Sequence, residues 1–249
     1  MSDPFVHLRV ASAYSMRYGA SPPEILAERA AEYDMDLLGL TDRDGLYGAV
    51  RFVQACRRFR IGPIVGVDLA VAPSTPGGGA RRDRVEPRVC VLAQDRQGWA
   101  QLCRLISASH LGGERGHPTT TLESIAEAAA HGHLRVLLGA DSDLGVAVAS
   151  GRLDRAEAAI RRWSALVDPG RLVVAVTHQR RGGSGAGSLT HAARMLILAD
   201  RQAVTAVLTN AVRMADRRLA PTLDVLDASR RLVALDRRHV DQGNAEAYL

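Results

Sequence analysis

Short apolar runs alternate along the chain with stretches in which apolar residues recur every three or four positions, and this alternation predicts strands separated by helices. Residues 37–71 show it most clearly. The run LLGL, a segment of helical spacing and the run IVGVDLAV read together as one strand, helix, strand unit. Thr41, Asp42, Arg43 and Asp44 stand where the first of these strands gives way to the helix, and Asp68 lies within the second. Polar groups therefore gather toward one end of a buried sheet, the end where parallel α/β folds place their chemistry.

The same reading predicts further strands at 5–10, 88–93, 134–138, 172–176 and 204–208, seven in all. A helix opens at Ser21, read as its cap, with Pro22 and Pro23 in the first turn and Glu24 three residues on; Ile25, Leu26, Ala30 and Tyr33 supply its apolar side. Residues 98–109 form a helix with Trp99, Leu102, Leu105 and Ile106 inward. Thr120 and Glu123 have the spacing of a capping box for a helix over 122–130. Ala156, Ala159, Ile160, Trp163 and Leu166 mark an amphipathic helix over 153–167, and 189–200 is also helical. Residues 72–86 and the glycine-rich 180–188 are loops, and the second lacks the GxxxxGK[ST] arrangement of a phosphate cradle. Residues 221–249 hold two short helical patterns and no strand. Strands alternating with helices argue for one parallel sheet, closed as a barrel or open with helices on both faces; spacing does not choose between them.

The chain of 249 residues, 47% of them apolar, is long enough for one large α/β domain. Its net charge of +5 comes entirely from arginine, for there is no lysine. The arginines are scattered, so coding bias explains them better than a phosphate-binding block. Cys56, Cys90 and Cys103 fall in apolar segments without CxxC spacing and read as buried, reduced thiols of a cytoplasmic protein. No apolar run reaches membrane-spanning length and the N-terminus does not read as a signal peptide, so no membrane partner is expected.

Three segments, FVHLRVASAYSMRYGAS, LTDRDGLYGAVRF and IGPIVGVDLAV, resemble in order the N-terminal PHP domain of bacterial C-family DNA polymerases, the polymerase III alpha subunit and its error-prone relatives. VLAQDRQGWAQLCRLIS, VLTNAVRM and DRRHVDQGNAEAYL extend the resemblance over nearly the whole chain. It implies a distorted seven-stranded TIM-like (β/α) barrel over residues 1–220. Residues 221–249 would then be an extension leading toward a polymerase region that is not in this sequence, so that the chain is an excised portion or a truncated relative. Residues 237–249 are accordingly expected to pack poorly on their own.

Intact members of the family hold a cluster of divalent metals on a His-x-His pair, an Asp-His pair, an acidic residue, a histidine and an Asp-x-His motif, a set able to activate water against a phosphoester. By the resemblance those positions here are Arg9 and Ala11, Asp42 and Arg43, Asp68, Arg88, and Ala211 and Arg213, with Ala175 and His178 near the sixth strand. Too few ligands remain for a structured cluster. The resemblance therefore implies a metal-free pocket in which Arg9, Arg43, Arg88 and Arg213 stand beside Asp42 and Asp68, with at least one direct arginine to aspartate pair among the six expected as a clamp in place of the metal; the alternative is that coding bias filled these positions and the arginines reach into solvent. His7, His110, His117, His131 and His133 read as surface or hydrogen-bonded histidines, and Ser12, Tyr14 and Ser15 as loop polar groups. The implied function is that of a non-catalytic, structural or docking domain of a DNA-directed DNA polymerase of replication or error-prone repair, with no cofactor. Its partners would be the polymerase region and a proofreading or accessory subunit, with DNA bound only weakly through phosphates. The alternatives are a stand-alone metal-dependent phosphoesterase, which would need a divalent metal, and an unrelated sugar- or phosphate-handling barrel.

Overall fold

The computed structural model of the chain describes residues 5–72, 86–112, 116–236 and 244–249. Six strands form one curled sheet in the order of the sequence: β2 (Leu37–Arg43), β3 (Gly62–Ala70), β4 (Arg88–Ala93), β5 (Leu134–Leu138), β6 (Leu172–Val176) and β7 (Thr205–Leu208). Two further strands of two residues each, β1 (Arg9–Val10) and β8 (Ala211–Val212), pair in parallel, and His7 bridges to Leu38 of β2. The short pairs span the gap between β7 and β2 and complete a distorted TIM-like barrel. The expected count of seven strands is thus replaced by eight segments among the described residues. The first predicted strand shrinks to Arg9–Val10 because residues 5–8 make only an isolated bridge.

The sheet is not wholly parallel as the alternation implied. β4 runs antiparallel to both β3 and β5, with Ala70 opposite Arg88 and Ala93 opposite Leu134. β3 and β4 are antiparallel neighbours, so they are not joined by the parallel crossover that the alternation implied. The consequence for chemistry is direct: Arg88, the first residue of β4, lies at the same end of the barrel as Asp68 near the close of β3.

Alternation along the strands sorts the core into layers. Val67, Leu69, Val89, Val91, Val136, Leu138 and Val174 face outward into the largest cluster. That cluster is covered by α3 (Arg96–Gly112), α4 (Leu122–Ala130), α5 (Asp143–Ala149), α6 (Leu153–Leu166) and α7 (Leu189–Arg201). Leu8, Ile64, Cys90, Leu92, Leu137, Val173, Ala175 and Val207 fill the interior. The first two helices, α1 (Pro23–Glu32) and α2 (Ala49–Phe59), pack Leu26, Ala30, Phe52 and Cys56 against Val10, Leu38 and Leu40. Burial holds the Cys56 and Cys90 thiols in their protonated form, each pushed up to about 12, whereas Cys103 is only half-buried.

Several local expectations are corrected. Ser21 does not cap α1: Pro22 occupies that place, and the Ser21 hydroxyl accepts from the Ala215 backbone N–H at 2.9 Å. The cap of α4 is Thr121, whose Oγ1 accepts from Ser124 N–H at 3.1 Å, so the Thr120 and Glu123 capping box is one residue out of register. Helix α5 was hidden by its small residues. Trp99, Ile25, Tyr33 and Leu166, expected inward, are exposed at helix edges. The C-terminal extension is not loose where it is described. Helix α8 (Ala220–Arg231) and Ala247 pack with Met214 and Leu223, Tyr248 bridges to Met214, and Arg213 N–H donates to Ala247 at 2.8 Å. Residues 237–243, and 73–85 of the predicted loop, lie outside the described residues. No helix among the described residues is long and apolar enough to cross a membrane.

One histidine ties two helices together. Buried His191, in the first turn of α7, donates Nε2–H to the Gly145 carbonyl of α5 at 3.1 Å, and its Nδ1 is buried without a partner. Burial lowers its pKa from the ordinary 6.5, because a proton on Nδ1 would place an unpaired charge in the core. The unfolded chain therefore takes up this proton first as pH falls. The contribution of neutral His191 to stability is complete above about pH 6.5 and declines below it, through the depressed folded value. Urea unfolding at pH 7.5 and pH 5.5 should show a smaller acid loss in His191→Gln than in the parent chain; an equal loss would remove His191 as the cause.

Candidate functional site

The C-terminal ends of β2, β3, β5 and β8 and the start of β4 converge on one mouth of the barrel, and most of the polar residues singled out in the sequence stand there. Asp68 points inward because its neighbours Val67 and Leu69 point outward, and it is 5% exposed. Its Oδ2 accepts from Arg88 Nε at 2.9 Å and lies 3.4 Å from Arg43 Nε. Arg88 is forked: Nη2 donates to the Asp68 carbonyl at 2.7 Å and meets Asp44 Oδ1 at 2.8 Å. Asp44 in turn accepts from the Ala70 N–H, and its own N–H donates to the Asp68 carbonyl. One guanidinium thus stitches the β2 and β3 ends to the β4 start, a geometry that the planar fork of arginine suits and an ammonium does not.

The other arginines divide. Arg9 crosses the mouth to Asp141, with Nη2 at 2.5 Å from Oδ1, and its guanidinium rests on Gly139, where a Cβ would meet Nη1 at 2.1 Å. A Cβ at position 139 would displace the guanidinium from this place. Arg43 lies on the Tyr18 ring, its central carbon 3.3 Å from the ring centroid, and Arg213 shares the same ring at 4.1 Å. Arg213 is turned away from the mouth carboxylates. It grips Asp227 of α8 with both Nη groups, at 3.0 and 2.8 Å, while Arg230 adds a third contact at 2.8 Å. Among the described residues Asp42 has no arginine partner. It is held by the 11–20 loop, accepting from Ser12 N–H at 2.7 Å, from the Ser12 hydroxyl and from the Ser15 hydroxyl at 2.7 Å. Ser12 and Ser15 are thus the anchors of this carboxylate, not incidental loop groups. Of the remaining positions, Ala11 is buried, Ala211 is in register with Arg9, and His178 is away from the mouth in a cavity beside β7.

Burial opposes charge on every one of these groups, and the partners decide the outcome. For Arg9 and Arg88 the adjacent carboxylates more than offset desolvation and raise the pKa. Asp227 is held down to about 2 by Arg213 and Arg230 against the effect of burial. Asp42, held only by neutral donors, is pushed upward by burial. Asp68 and Asp141 share the same arginines. Burial and the neighbouring Asp141 raise Asp68, Arg9 and Arg43 lower Asp141, and Asp68 is therefore the carboxylate of the two that first takes a proton.

Sequence reasoning missed Asp141, Asp227 and Tyr18. Asp141 carried a usable signal, an acidic residue three positions past a strand that ends at the mouth. Tyr18 carried none and Asp227 only its i,i+3 spacing to Arg230, since the Arg43 and Arg213 partners are 14 and more residues away and depend on tertiary packing. Among the described residues no three His, Cys, Asp or Glu side chains gather as ligands, and guanidinium groups occupy the space between the carboxylates.

Removing Asp68 takes from the half-buried Arg88 and Arg43 their shared counter-ion and leaves Arg88 only Asp44. Asp68→Ala should lower unfolding stability by about 3 kcal/mol or more in urea titrations, and Asp68→Asn by less, because an amide oxygen still accepts from Arg88. Equal stability of Asp68→Ala and the parent chain would show that the pair is not structural.

Comparison with known proteins agrees with the fold. A family model described as the PHP domain matches residues 7–179. The error-prone DNA polymerase of Mycolicibacterium paratuberculosis is 41% identical over 139 residues, 55% of this chain and 12% of that protein. The error-prone DNA polymerase of Mycobacterium tuberculosis is 36% identical over 179 residues, 70% of this chain and 16% of that protein. The chain spans less than one fifth of the length of these relatives. Among solved structures, an amidohydrolase from Chromobacterium violaceum, with bound sulfate and no metal, superposes with a TM-score of 0.57 at 15% identity, covering 84% of this chain and 87% of its own. A putative metal-dependent phosphoesterase from Bifidobacterium adolescentis gives 0.54 at 12% identity, with 85% and 88% covered. At these identities the likeness is one of fold alone.

Proposed function

The chain belongs to the PHP domain family, and from that premise we propose that it is a non-catalytic PHP domain of a bacterial error-prone C-family DNA polymerase, its barrel mouth held by arginine in place of metal. The observation that carries the reading is the Arg88 fork on Asp68 and Asp44, joined by Arg9 on Asp141. A divalent metal in such a site neutralises carboxylates and also polarises an oxygen or lowers the pKa of a bound water. Guanidinium does the first and not the second: it stays protonated, has no open coordination position and donates no charge to an oxygen beyond a hydrogen bond. The mouth keeps the structural half of the metal's work, joining strand ends that would otherwise repel, and gives up the hydrolytic half.

On this reading the domain buttresses the polymerase region of a longer protein and offers its surface to a proofreading or accessory subunit. The resemblance to error-prone polymerases in sequence supports error-prone repair synthesis as the setting. The chain by itself is inactive, located in the cytoplasm, and binds DNA only through salt-sensitive arginine and phosphate contacts.

Purified without chelator, the chain should carry less than stoichiometric zinc, manganese and iron by elemental analysis, and added Mn²⁺ should leave its unfolding midpoint unchanged. It should not cleave a generic phosphodiester. A stoichiometric metal together with hydrolysis abolished by chelation would replace this reading with that of a phosphoesterase.

A further inference from the structure

On the outer wall of the barrel, where β7 and β8 meet the first strand, a cavity of about 310 Å³ lies apart from the arginine mouth and shares no residue with it. That is the low end of the range for small-molecule sites. Helices cover the wall elsewhere, but here the covering element is the segment 244–249. The lining combines two kinds of group. Phe5, His7 and Tyr248 supply rings, with Phe5 and His7 edge to face at 4.8 Å. His178 and Arg180, from the loop after β6, supply nitrogen donors.

The loop fixes those donors. Gln179 between them is buried, its Nε2 donating to Asn210 Oδ1 at 3.0 Å and its backbone N–H to the Gly187 carbonyl at 2.8 Å, so residues 178 and 180 turn the other way, into the cavity. Arg180 holds a left-handed backbone, φ 53°, a conformation that costs a non-glycine residue of order 1 kcal/mol or more. Neither His178 nor Arg180 makes a hydrogen bond or ion pair with the described residues, whereas the carboxylate on the opposite side, Glu246, is engaged by Arg217 at 3.0 Å. Two unspent cationic or hydrogen-bonding groups two residues apart, carried on a backbone that the buried residue between them anchors and lining the same cavity as aromatic rings, suit an anion attached to a flat ring system.

We propose that this cavity binds a nucleoside 5′-phosphate, with the phosphate on His178 and Arg180 and the base against Tyr248 and the Phe5 and His7 pair. Inorganic phosphate alone lacks the stacking part and deoxyadenosine alone lacks the charged part. The phosphate can belong to a free nucleotide or to the 5′ end of a strand.

Calorimetric titration of the 249-residue chain with deoxyadenosine monophosphate tests it. Binding is expected, at least tenfold tighter than for inorganic phosphate or deoxyadenosine. His178→Ala and Arg180→Gly should each weaken it at least tenfold. Both positions are exposed, and glycine takes the left-handed backbone without strain, so the fold is kept. A 5′-phosphorylated tetranucleotide that competes equally assigns the ligand to a strand end; one that fails to compete assigns it to a free nucleotide. No binding at millimolar nucleotide, undiminished binding by both variants, or equal binding of phosphate alone would each overturn the proposal. Metal content and phosphodiester hydrolysis, which test the mouth, do not bear on this result.

Discussion

A carboxylate buried at the mouth of a barrel has to be neutralised, and the way Asp68 is neutralised shapes the residues around it. Transfer of one such ion out of water costs several kcal/mol even after relaxation, and attraction to a single partner seldom repays it without further hydrogen bonds. Arg88 supplies more than attraction. Its fork also takes the Asp68 carbonyl and Asp44, whose side chain binds Ala70. The result is a ring of contacts through three chain segments, and the strand ends cannot separate without exposing several charges at once. Arg9 repeats the solution across the mouth at Asp141, and its approach over Gly139 shows how closely the backbone has been fitted to the guanidinium.

The adjacent carboxylate is solved differently. Asp42 is almost fully buried, yet its donors are neutral: two serine hydroxyls and a backbone N–H. This arrangement binds the 11–20 loop to the end of β2, because Ser15 also accepts from the Arg43 N–H. Gly48 belongs to the same device, since a Cβ there would meet Asp42 Oδ2 at 2.8 Å and the Ser12 hydroxyl at 3.2 Å. The loop so fixed carries Tyr18 to the place where Arg43 and Arg213 lie on its ring. Two carboxylates one strand apart therefore do separate work: Asp68 ties strand ends to one another, and Asp42 ties a loop to a strand.

How much of this was legible in the sequence depends on the range of each interaction. The strands at 88–93, 134–138 and 172–176 follow from apolar runs alone and have the observed bounds. The sense of β4 does not follow from them. Had β4 run parallel to β3, Arg88 would have opened at the opposite end of the barrel, roughly 16 Å away for a strand of this length. The resemblance placed Arg88 beside Asp68 where strand alternation alone would have separated them. Partner choice was legible only in part. An arginine near Asp68 could be named, but that Arg9 goes to Asp141 and Arg213 to Asp227 depends on side-chain reach across 132 and 14 residues of intervening chain.

The arginine-only composition bears on the mouth in a definite way. Coding bias can place arginine at any tolerant position, and most of the arginines here are indeed solvated, where an ion pair is worth about 0 to 1 kcal/mol. Arg9 and Arg213 are each 7% exposed, and their carboxylate partners are specific, short and in one case bidentate. Bias does not explain burial, because an arginine buried without a partner costs several kcal/mol and would be lost from a marginally stable domain. What bias supplies is the raw material. Where the fold presents carboxylates at the mouth, as at Asp68 and Asp141, an arginine in the interior has a counter-ion that offsets its desolvation. A metal can be removed from such a site and returned. A guanidinium on β4 is part of the chain itself, so the contacts of Arg88 with Asp68 and Asp44 form wherever these strands do and the protein supplies its own counter-ion at this mouth.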